Sequence, residues 1–445
     1  MKIEEALASR PPSGYQYYVA VLLCLTIFIE GYDSVVMSLS VASIAQEWGV
    51  KPSRFSLALS MPLISTMFAA VLIAPLSHRY GRRPLLVSGV FLTGLGMFVT
   101  VSTQVMPIFL AGRALTGIGL GIAFPISLSL LADIMPPKQK RFFVALSINC
   151  LGLGAASSAF SAAILNDIWG WRGLFYAAIV LPTLMGVVLL MTIPESPSYL
   201  LLSGQAAKAR QVLRKMGIPD SMDVQHPGVA AKRSGASVLA LFGNGMATMT
   251  LIIWAFFFLR MLESSVALYW FPTLLEMSGF QKSQVFVLMG LGQTTGIIGG
   301  LMYLYFIGRG WIFTSIGVSL AVAILALFAM GTSEADFALF SFILVASHLF
   351  SGGAVVALNT LLVSIYPSEM QVTGLGWAIF AGRAGSIISV FVGGFLIDTF
   401  TPSAIFLLLT VPLVLCGVCA LFLARQYRQR PEPAGPALMA GAGPR

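Results

Sequence analysis

Two acidic residues, Glu30 and Asp33, lie inside an apolar run that extends from about Tyr15 to Ala45. A carboxylate at the centre of a bilayer costs roughly 2.5–3.5 kcal/mol even on the lenient insertion scale, so such residues usually mark an ion or substrate path. Because the two acids are three positions apart, both lie on one face of a helix. An acid in a gated cavity can load and release a proton, so we predict proton coupling here. The alternative is that both acids form structural ion pairs that lock helices together.

Three arginines, Arg113, Arg260 and Arg383, also lie within apolar segments, and Glu263 follows Arg260 at a spacing of three. A guanidinium presents planar donors that suit a carboxylate, and ordinary pH does not remove its charge. We therefore predict that these four residues bind a small organic anion. With the two acids above, the formal charges sum to zero, which favours mutual pairing. The alternative for Arg260 and Glu263 is that they simply pair with each other on one helix face.

Several polar and aromatic side chains within the apolar segments are weaker candidates. Aromatic residues in such segments most often pack or form interface belts. A lone histidine, His348, is a candidate proton shuttle. Among these side chains, we predict substrate binding for Tyr32, Trp270 and Asn359.

The composition indicates that most of the chain faces lipid. Of its 445 residues, 57% are hydrophobic and only 10% are charged, and the mean hydropathy is +0.89. A soluble domain carries about 25% charged residues. The four cysteines all lie in apolar segments, so we expect neither a disulfide framework nor a redox or metal role for Cys416 and Cys419. We expect no metal site and no cofactor.

The apolar segments predict the fold. Stretches of about 20 apolar residues are long enough to cross a bilayer. We predict an all-α membrane protein with twelve transmembrane helices in two six-helix bundles. Short polar or Pro/Gly-marked breaks separate the spans. The predicted spans cover residues 17–40, 54–76, 84–104, 107–132, 142–165, 173–193, 246–273, 283–306, 311–331, 337–364, 373–397 and 403–424.

The basic residues are distributed unevenly between the two predicted sides of the membrane. Nineteen of the 26 Lys and Arg residues fall on the side of the termini, four on the opposite side and three within spans. By the positive-inside rule, both termini are cytoplasmic. The net charge of +9 is then a topology signal, so nucleic acid is not an expected partner. We predict a monomeric multi-pass protein in the inner membrane of a bacterium.

The longest break between spans, from Pro194 to about Gly243, separates two sets of six. Within it, Gln205 to Met216 predicts a short basic amphipathic helix at the inner surface. The residues after Arg430 are rich in Pro, Gly and Ala, which is typical of disorder. The predicted organisation is an N-terminal bundle over residues 1–200, a linker over 201–243, a C-terminal bundle over 244–428 and a disordered tail over 429–445.

Several motifs resemble those of the major facilitator superfamily. The segment from Ala74 to Arg83 is similar to that family's loop between spans two and three, G-x-L-x-D-R-x-G-R-R. Ala74 replaces the first glycine of that motif, and His78 replaces the aspartate. Arg113 to Gly117 resembles the fourth-span arginine motif, and Pro194 to Pro197 the motif after span six. The resemblance covers nearly the whole chain and implies two rocking bundles with a central site.

Within that superfamily, the chain most resembles the aromatic acid:proton symporters. Their first span carries D-G-[FY]-D, where this chain has Glu30-Gly31-Tyr32-Asp33. The segment from Tyr269 to Leu275 is similar to their seventh-span pattern. Tyr366-Pro367, followed by the segments from Thr373 to Trp377 and from Gly382 to Gly385, is similar to a conserved block around their eleventh span.

The resemblance also implies roles for individual residues. Glu30 and Asp33 would take part in proton coupling, and Arg113 and Arg383 in transport or substrate binding. Gln371 departs from the pattern, because it stands where the family has an arginine. The predicted cytoplasmic gate comprises His78, Arg79, Arg82, Arg83, Asp133, Arg141 and Glu369.

Together these features predict a proton-coupled symporter that imports a small organic acid, aromatic by resemblance, through alternating access. The alternatives within transporters are an exporter, or a carrier of another carboxylate or of a zwitterion that Arg260 and Glu263 would clamp at both ends. A membrane sensor is disfavoured because no signalling domain follows Arg425. An enzyme is disfavoured because no metal constellation or Ser/His/Asp arrangement stands out.

Overall fold

The computed structural model describes residues 3–8, 10–219, 238–243, 246–309, 311–366 and 370–429. These residues are almost entirely helical, and no strand occurs among them. Within them, eleven helical segments are long and apolar enough to cross a membrane, and Phe337–Ser351 is a shorter apolar segment. The fold therefore confirms the predicted all-α membrane protein.

The long helices of the N-terminal half follow one another with short connections. Three of them contain an internal proline, which marks irregularity in the helix. Short helices at Ile3–Ala8, Ser77–Tyr80 and Pro197–Leu202 flank them, with 3₁₀ turns at Pro52–Phe55 and Ala74–Leu76. The six long helices are Gly14–Trp48 (α1), Ser56–Leu72 (α2), Arg82–Val101 (α3), Met106–Ile134 (α4), Pro137–Trp169 (α5) and Arg172–Thr192 (α6).

The helices of the C-terminal half repeat this arrangement. A 3₁₀ turn at Val238–Phe242 precedes the first of them, and a short helix at Pro402–Leu408 precedes the last. The six long helices are Ala247–Met277 (α7), Lys282–Gly308 (α8), Ile312–Thr332 (α9), Phe337–Ile365 (α10), Gln371–Thr399 (α11) and Thr410–Gln429 (α12).

The helix ends show why α1 is longer than its predicted span. It begins after Ser13, whose side chain and backbone exchange hydrogen bonds of 3.3 and 2.7 Å with Gln16, a capping box. It continues through Gln46 to Trp48 and ends at Gly49, which has a φ of 64°. The helix therefore extends beyond the predicted span of 17–40 at both ends, and the segment from Gln46 to Trp48 forms its last turn.

Close helix packing depends on glycine in both halves. In α1 a Cβ at Gly31 would overlap the backbone carbonyl of Leu151 in α5, and a Cβ at Gly154 would overlap that of Phe28. In the other half, a Cβ at Gly299 of α8 would overlap the carbonyl of Leu349 in α10. These contacts agree with the expectation that small residues let membrane helices approach closely.

The two halves contact each other along three helix pairs, α1 with α7, α2 with α11, and α5 with α8. We call the end at which α1 begins the terminal end and the end at which it stops the distal end. At the distal end, Ser53 Oγ donates to Asp398 Oδ2 at 2.6 Å, and Lys282 Nζ donates to Ser43 Oγ at 2.8 Å. A Cβ at Gly394 would overlap the Ser56 hydroxyl. The halves are therefore closed against each other at the distal end.

The connection between the halves contains the predicted amphipathic helix, which the structure places at Ala206–Lys215. The Arg10 guanidinium donates to the Gly217 carbonyl at 2.9 Å and so ties this connection to the N-terminal segment. The middle of the predicted linker, residues 220–237, and residues 430–445 of the predicted tail lie outside the described residues. The domain limits therefore stay predictions.

Candidate functional site

The first-span aspartate is buried beside a buried arginine. Asp33 of α1 is only 2% exposed, and neither of its carboxylate oxygens has a hydrogen-bond partner. Arg113 of α4 is 3% exposed and close enough to interact electrostatically with Asp33. Its Nε donates to the Ala58 carbonyl at 3.4 Å, and its Nη1 lies 3.4 Å from Met97 Sδ. The two charges attract across the bundle without a direct hydrogen bond.

This cluster extends across to the other half. Tyr269 of α7 is buried and interacts electrostatically with Asp33, Arg113 and Arg383. Arg383 of α11 also interacts with Glu30, although its own side chain is exposed. The structure thus brings four of the predicted charged residues within electrostatic reach of one another. Sequence reasoning gave Tyr269 no role here, because an aromatic residue in a span usually indicates packing.

Glu30 differs from Asp33 in its surroundings. It is partly exposed, and it borders a small cavity of about 10 Å³ inside the N-terminal bundle. Thr26 of α1 and Thr93 of α3 border the same space. The other lining residues are apolar, so the two threonines and Glu30 are the polar groups at this cavity.

A much larger cavity of about 610 Å³ lies in the C-terminal half, near the middle of the spans. Helices α7, α8, α9 and α10 contribute most of its walls, and α5 of the N-terminal half closes one side. Small-molecule sites usually measure roughly 300–1,000 Å³ and combine apolar walls with a few polar groups. The polar side chains among its lining residues are Asn149, Arg260, Glu263, Ser264, Gln293, Ser347, His348 and Ser351.

Arg260 and Glu263 form an ion pair at this cavity. Nη1 of the guanidinium donates to Oε2 of the carboxylate, one turn further along α7. Both residues are more than nine-tenths buried, and Nε of Arg260 has no hydrogen-bond partner. The pairing that the sequence left as the alternative is therefore present, and the pair also lines the cavity, as a binding role requires.

The predicted polar and aromatic binding residues are placed differently. Tyr32 is buried inside the N-terminal half, where its hydroxyl shares a hydrogen bond of 2.8 Å with Ser161 of α5. Trp270 is fully buried and donates from Nε1 to the Val390 carbonyl at 2.9 Å. Both contacts are typical of packing, so substrate binding by these two residues stays a prediction. The side chain of Asn359 lies outside the described residues.

At the terminal end, part of the predicted gate forms a network inside the N-terminal half. Arg82 forms an ion pair with Asp133 of α4 and donates to the Ser129 carbonyl at 3.1 Å. The Ser196 hydroxyl donates to the same carboxylate. Glu195 accepts from the backbone N–H of Arg82 at 2.9 Å and so caps the start of α3.

The remaining gate residues are less connected or not described. Arg83 donates from Nη2 to the Leu190 carbonyl at 2.6 Å. His78 and Arg79 are exposed. The side chain of Arg141 and all of Glu369 lie outside the described residues. Sequence reasoning missed Glu195 as part of this network, although the Pro194-Glu195-Ser196-Pro197 motif was the available signal.

Comparison with known families identifies the fold. The sequence matches the Major Facilitator Superfamily over residues 23–345 and 306–442. The chain belongs to the Major Facilitator Superfamily. It is therefore a multi-pass integral membrane protein of a transporter family, and the eleven candidate spans in the described part of the chain agree with this.

Relatives and a solved structure extend over most of this superfamily member. It is 28% identical to the 4-hydroxybenzoate transporter PcaK of Pseudomonas aeruginosa, with 89% of this chain and 90% of that protein covered. It is 27% identical to the gallate transporter of Pseudomonas putida, with 88% of each chain covered. The xylose transporter XylE from Escherichia coli, in an inward-open conformation, shares the fold with a TM-score of 0.69 at 19% identity, covering 95% of this chain and 98% of that one.

The described residues also bear on metal binding. No group of three or more His, Cys, Asp or Glu side chains that could hold a metal ion occurs in that part of the chain. The four cysteines are all free.

Proposed function

We propose that this protein imports a small aromatic carboxylate together with protons. The observation that carries the proposal is Asp33, a buried carboxyl group without a hydrogen-bond partner in a chain similar to aromatic acid transporters over most of its length. A buried carboxylate without partners is unfavourable, and a proton relieves that penalty. An acid of this kind binds a proton on one side of the membrane and releases it where water reaches it.

The substrate class follows from the relatives and from the buried cations. The names of two relatives specify 4-hydroxybenzoate and gallate, which are both aromatic carboxylates. Buried guanidinium groups at Arg113 and Arg260 offer the planar donors that such a carboxylate prefers. The apolar walls of the large cavity suit an aromatic ring.

The residue roles in the proposal are as follows. Glu30 and Asp33 exchange protons, and Arg113, Arg260 and Arg383 attract the substrate anion. The network of Arg82 with Asp133, together with its neighbours in the predicted gate, controls the terminal end. Tyr269 joins the charged cluster, because it lies among these charges at the contact between the halves.

The proposed orientation has both termini in the cytoplasm of a bacterium, with the protein acting as a monomer in the inner membrane. The excess of Lys and Arg on the terminal side supports this orientation. The contacts between the halves at the distal end then correspond to closure towards the outside. Rocking of the halves would open that end and close the other.

Transport assays with and without a protonophore test the proposal. Proteoliposomes that contain the purified chain would receive radiolabelled 4-hydroxybenzoate or gallate, with the lumen alkaline and with or without a protonophore. We expect accumulation above equilibrium that the protonophore abolishes. Accumulation that is insensitive to the protonophore would contradict proton coupling, and the absence of uptake for every aromatic acid would contradict the substrate class.

A zwitterionic substrate is the second candidate, because Arg260 and Glu263 present opposite charges on one cavity. Competition by aromatic amino acids against labelled 4-hydroxybenzoate distinguishes the two. Stronger competition by the amino acids than by benzoate would favour the zwitterion.

A further inference from the structure

The large cavity in the C-terminal half contains an arginine that is only partly used. Arg260 is 5% exposed and lines the cavity, where one of its donors, on Nη1, is bound to Glu263. Its Nε has no hydrogen-bond partner. A guanidinium has five N–H donors in a fixed fork, which matches the two oxygens of a carboxylate. The site therefore has spare capacity for an anion at a position where an acid of the protein is already bound.

We propose that Glu263 is an internal counter-anion that occupies the substrate's carboxylate site on Arg260 until a proton displaces it. The assignment rests on the proposed function, because it places the substrate anion at this one arginine. When substrate binds, Glu263 takes up a proton from solution and its ion pair with Arg260 breaks. The substrate carboxylate then accepts the freed donor and the Nε–H. One anion and one proton enter together, so the net charge of the cavity does not change.

Glu263 is the titratable group that contacts Arg260 directly. Among the described residues, the other titratable groups around it are His348 of α10 and Cys416 of α12. His348 Nδ1 lies 3.0 Å from the Leu344 carbonyl, and Cys416 Sγ donates to the Phe256 carbonyl at 3.7 Å. Both side chains already have backbone partners, whereas the carboxylate of Glu263 is bound directly to Arg260.

The position of the cavity links this exchange to movement of the halves. Asn149 and Gly152 of α5 belong to the N-terminal half and form one of its walls. A Cβ at Gly152 would lie 2.8 Å from the Ile297 side chain of α8, so the two halves meet closely at this point. A ligand on Arg260 contacts both halves, and its binding energy depends on how they are placed.

The glycines of the bundle offer a variant that fills the cavity without touching the ion pair. Gly296 lines the cavity, and a Cβ there would meet only the His348 carbonyl oxygen, at 3.8 Å. A leucine at this position therefore fits the backbone and extends into the binding space. Gly317 of α9 is a matched control, because a Cβ there meets nothing within 4 Å and the residue does not line the cavity.

Calorimetry on the full chain in nanodiscs tests the assignment. Titrations with 4-hydroxybenzoate in buffers of different ionisation enthalpy give the affinity and the number of protons taken up. For the wild-type chain we expect an affinity that falls about tenfold for each pH unit in the alkaline range, because one proton is linked to binding. Glu263→Gln should lower the uptake by about one proton and remove that pH slope, since Arg260 is then always free. Each variant is first shown to be monodisperse and helical.

The cavity-filling variants give a second, independent readout. Gly296→Leu should weaken binding by at least about tenfold, as an occluded apolar pocket predicts, whereas Gly317→Leu should bind like the wild-type chain. An unchanged proton uptake and pH slope in Glu263→Gln would overturn the assignment, and so would wild-type affinity in Gly296→Leu. In either case, transport of aromatic carboxylates by the wild-type chain would leave the proposed function intact. A wild-type chain that neither binds nor transports any aromatic carboxylate would overturn the proposed function itself, and this inference with it.

Discussion

The two halves hold their buried acids in opposite ways. In the N-terminal half, Asp33 has no hydrogen-bond partner, and the nearby Arg113 donates instead to the Ala58 carbonyl and the Met97 sulfur. In the C-terminal half, Glu263 is bound directly to Arg260 at the edge of a large cavity. Both places have an arginine and an acid within the spans, but only Glu263 is hydrogen-bonded to its arginine.

This difference suggests that the two halves have different roles in transport. Because no group donates a hydrogen bond to the buried Asp33 carboxylate, protonation is a favourable way to neutralise it, and Asp33 is suited to bind a transported proton. Where a guanidinium is bound, a competing anion can take the place of the acid, so Arg260 is suited to hold a substrate. Variants that remove one charge at a time should test this comparison most strongly.

Replacing the unpaired acid should have the largest effect on transport. Asp33→Asn removes the proton site, so accumulation driven by a pH gradient of one unit should fall about tenfold, the value of one coupled proton. Binding of 4-hydroxybenzoate should survive. Uptake into vesicles under a pH gradient measures the first, and calorimetry the second. Asp167→Asn, an exposed acid in α5, is the matched control, and wild-type accumulation in Asp33→Asn would remove Asp33 from the mechanism.

Stability should separate the halves in the next test. Arg260→Met leaves Glu263 buried without its partner, which should cost about 3–5 kcal/mol, whereas the double variant Arg260→Met/Glu263→Met should recover most of that loss. Asp33→Leu should cost clearly less, because Asp33 makes no hydrogen bond and loses only its longer-range attraction to Arg113. Thermal unfolding in detergent compares the three. A loss in Asp33→Leu as large as in Arg260→Met would abolish the distinction between the two acids.

Alanine in place of packed glycines should show that the scaffold of the two halves is alike. Gly154→Ala in the N-terminal half and Gly299→Ala in the C-terminal half both force a Cβ into a backbone carbonyl. Overpacking of this kind costs about 1–3 kcal/mol, so both variants should melt at a lower temperature. Gly317→Ala should melt as the wild-type chain does, because the space around it is open. Unequal effects at the two packed sites would mean that the halves differ in rigidity as well as in charge.

The smallest effect is expected where the halves touch at the distal end. Asp398→Asn weakens an exposed contact with Ser53 and Lys51, and exposed pairs contribute at most about 1 kcal/mol. The fraction of molecules closed at that end should therefore fall by no more than about fivefold, a change that spin labels across α2 and α11 would measure. Complete opening of the distal end in this variant would show that closure depends on one carboxylate.

The spans and the charged residues were predictable because each leaves a local mark in the sequence. Twenty apolar residues in a row predict a membrane helix, and an acid such as Asp33 inside one predicts function. The spacing of three likewise predicted that Arg260 and Glu263 are able to pair.

Long-range packing decided what the sequence left open. Tyr269 joins the charged cluster only because α7 lies against α1, and Glu195 caps α3 only because the chain returns to it after α6. Trp270 is directed to the Val390 carbonyl by the contact between α7 and α11. No periodicity within one helix carries this information, since each position depends on the neighbour it meets.

The described polar contacts between the halves at the distal end lie at the rim and add to the helix packing there. They comprise hydrogen bonds from Ser53 and Lys282, and a long approach of Lys51 to Asp398 at 4.0 Å. Polar contacts of this strength are made and broken by thermal motion, so these contacts by themselves bias the molecule little towards the closed state. The concentration gradients and the membrane voltage that the cell maintains then decide whether substrate moves into or out of the cell.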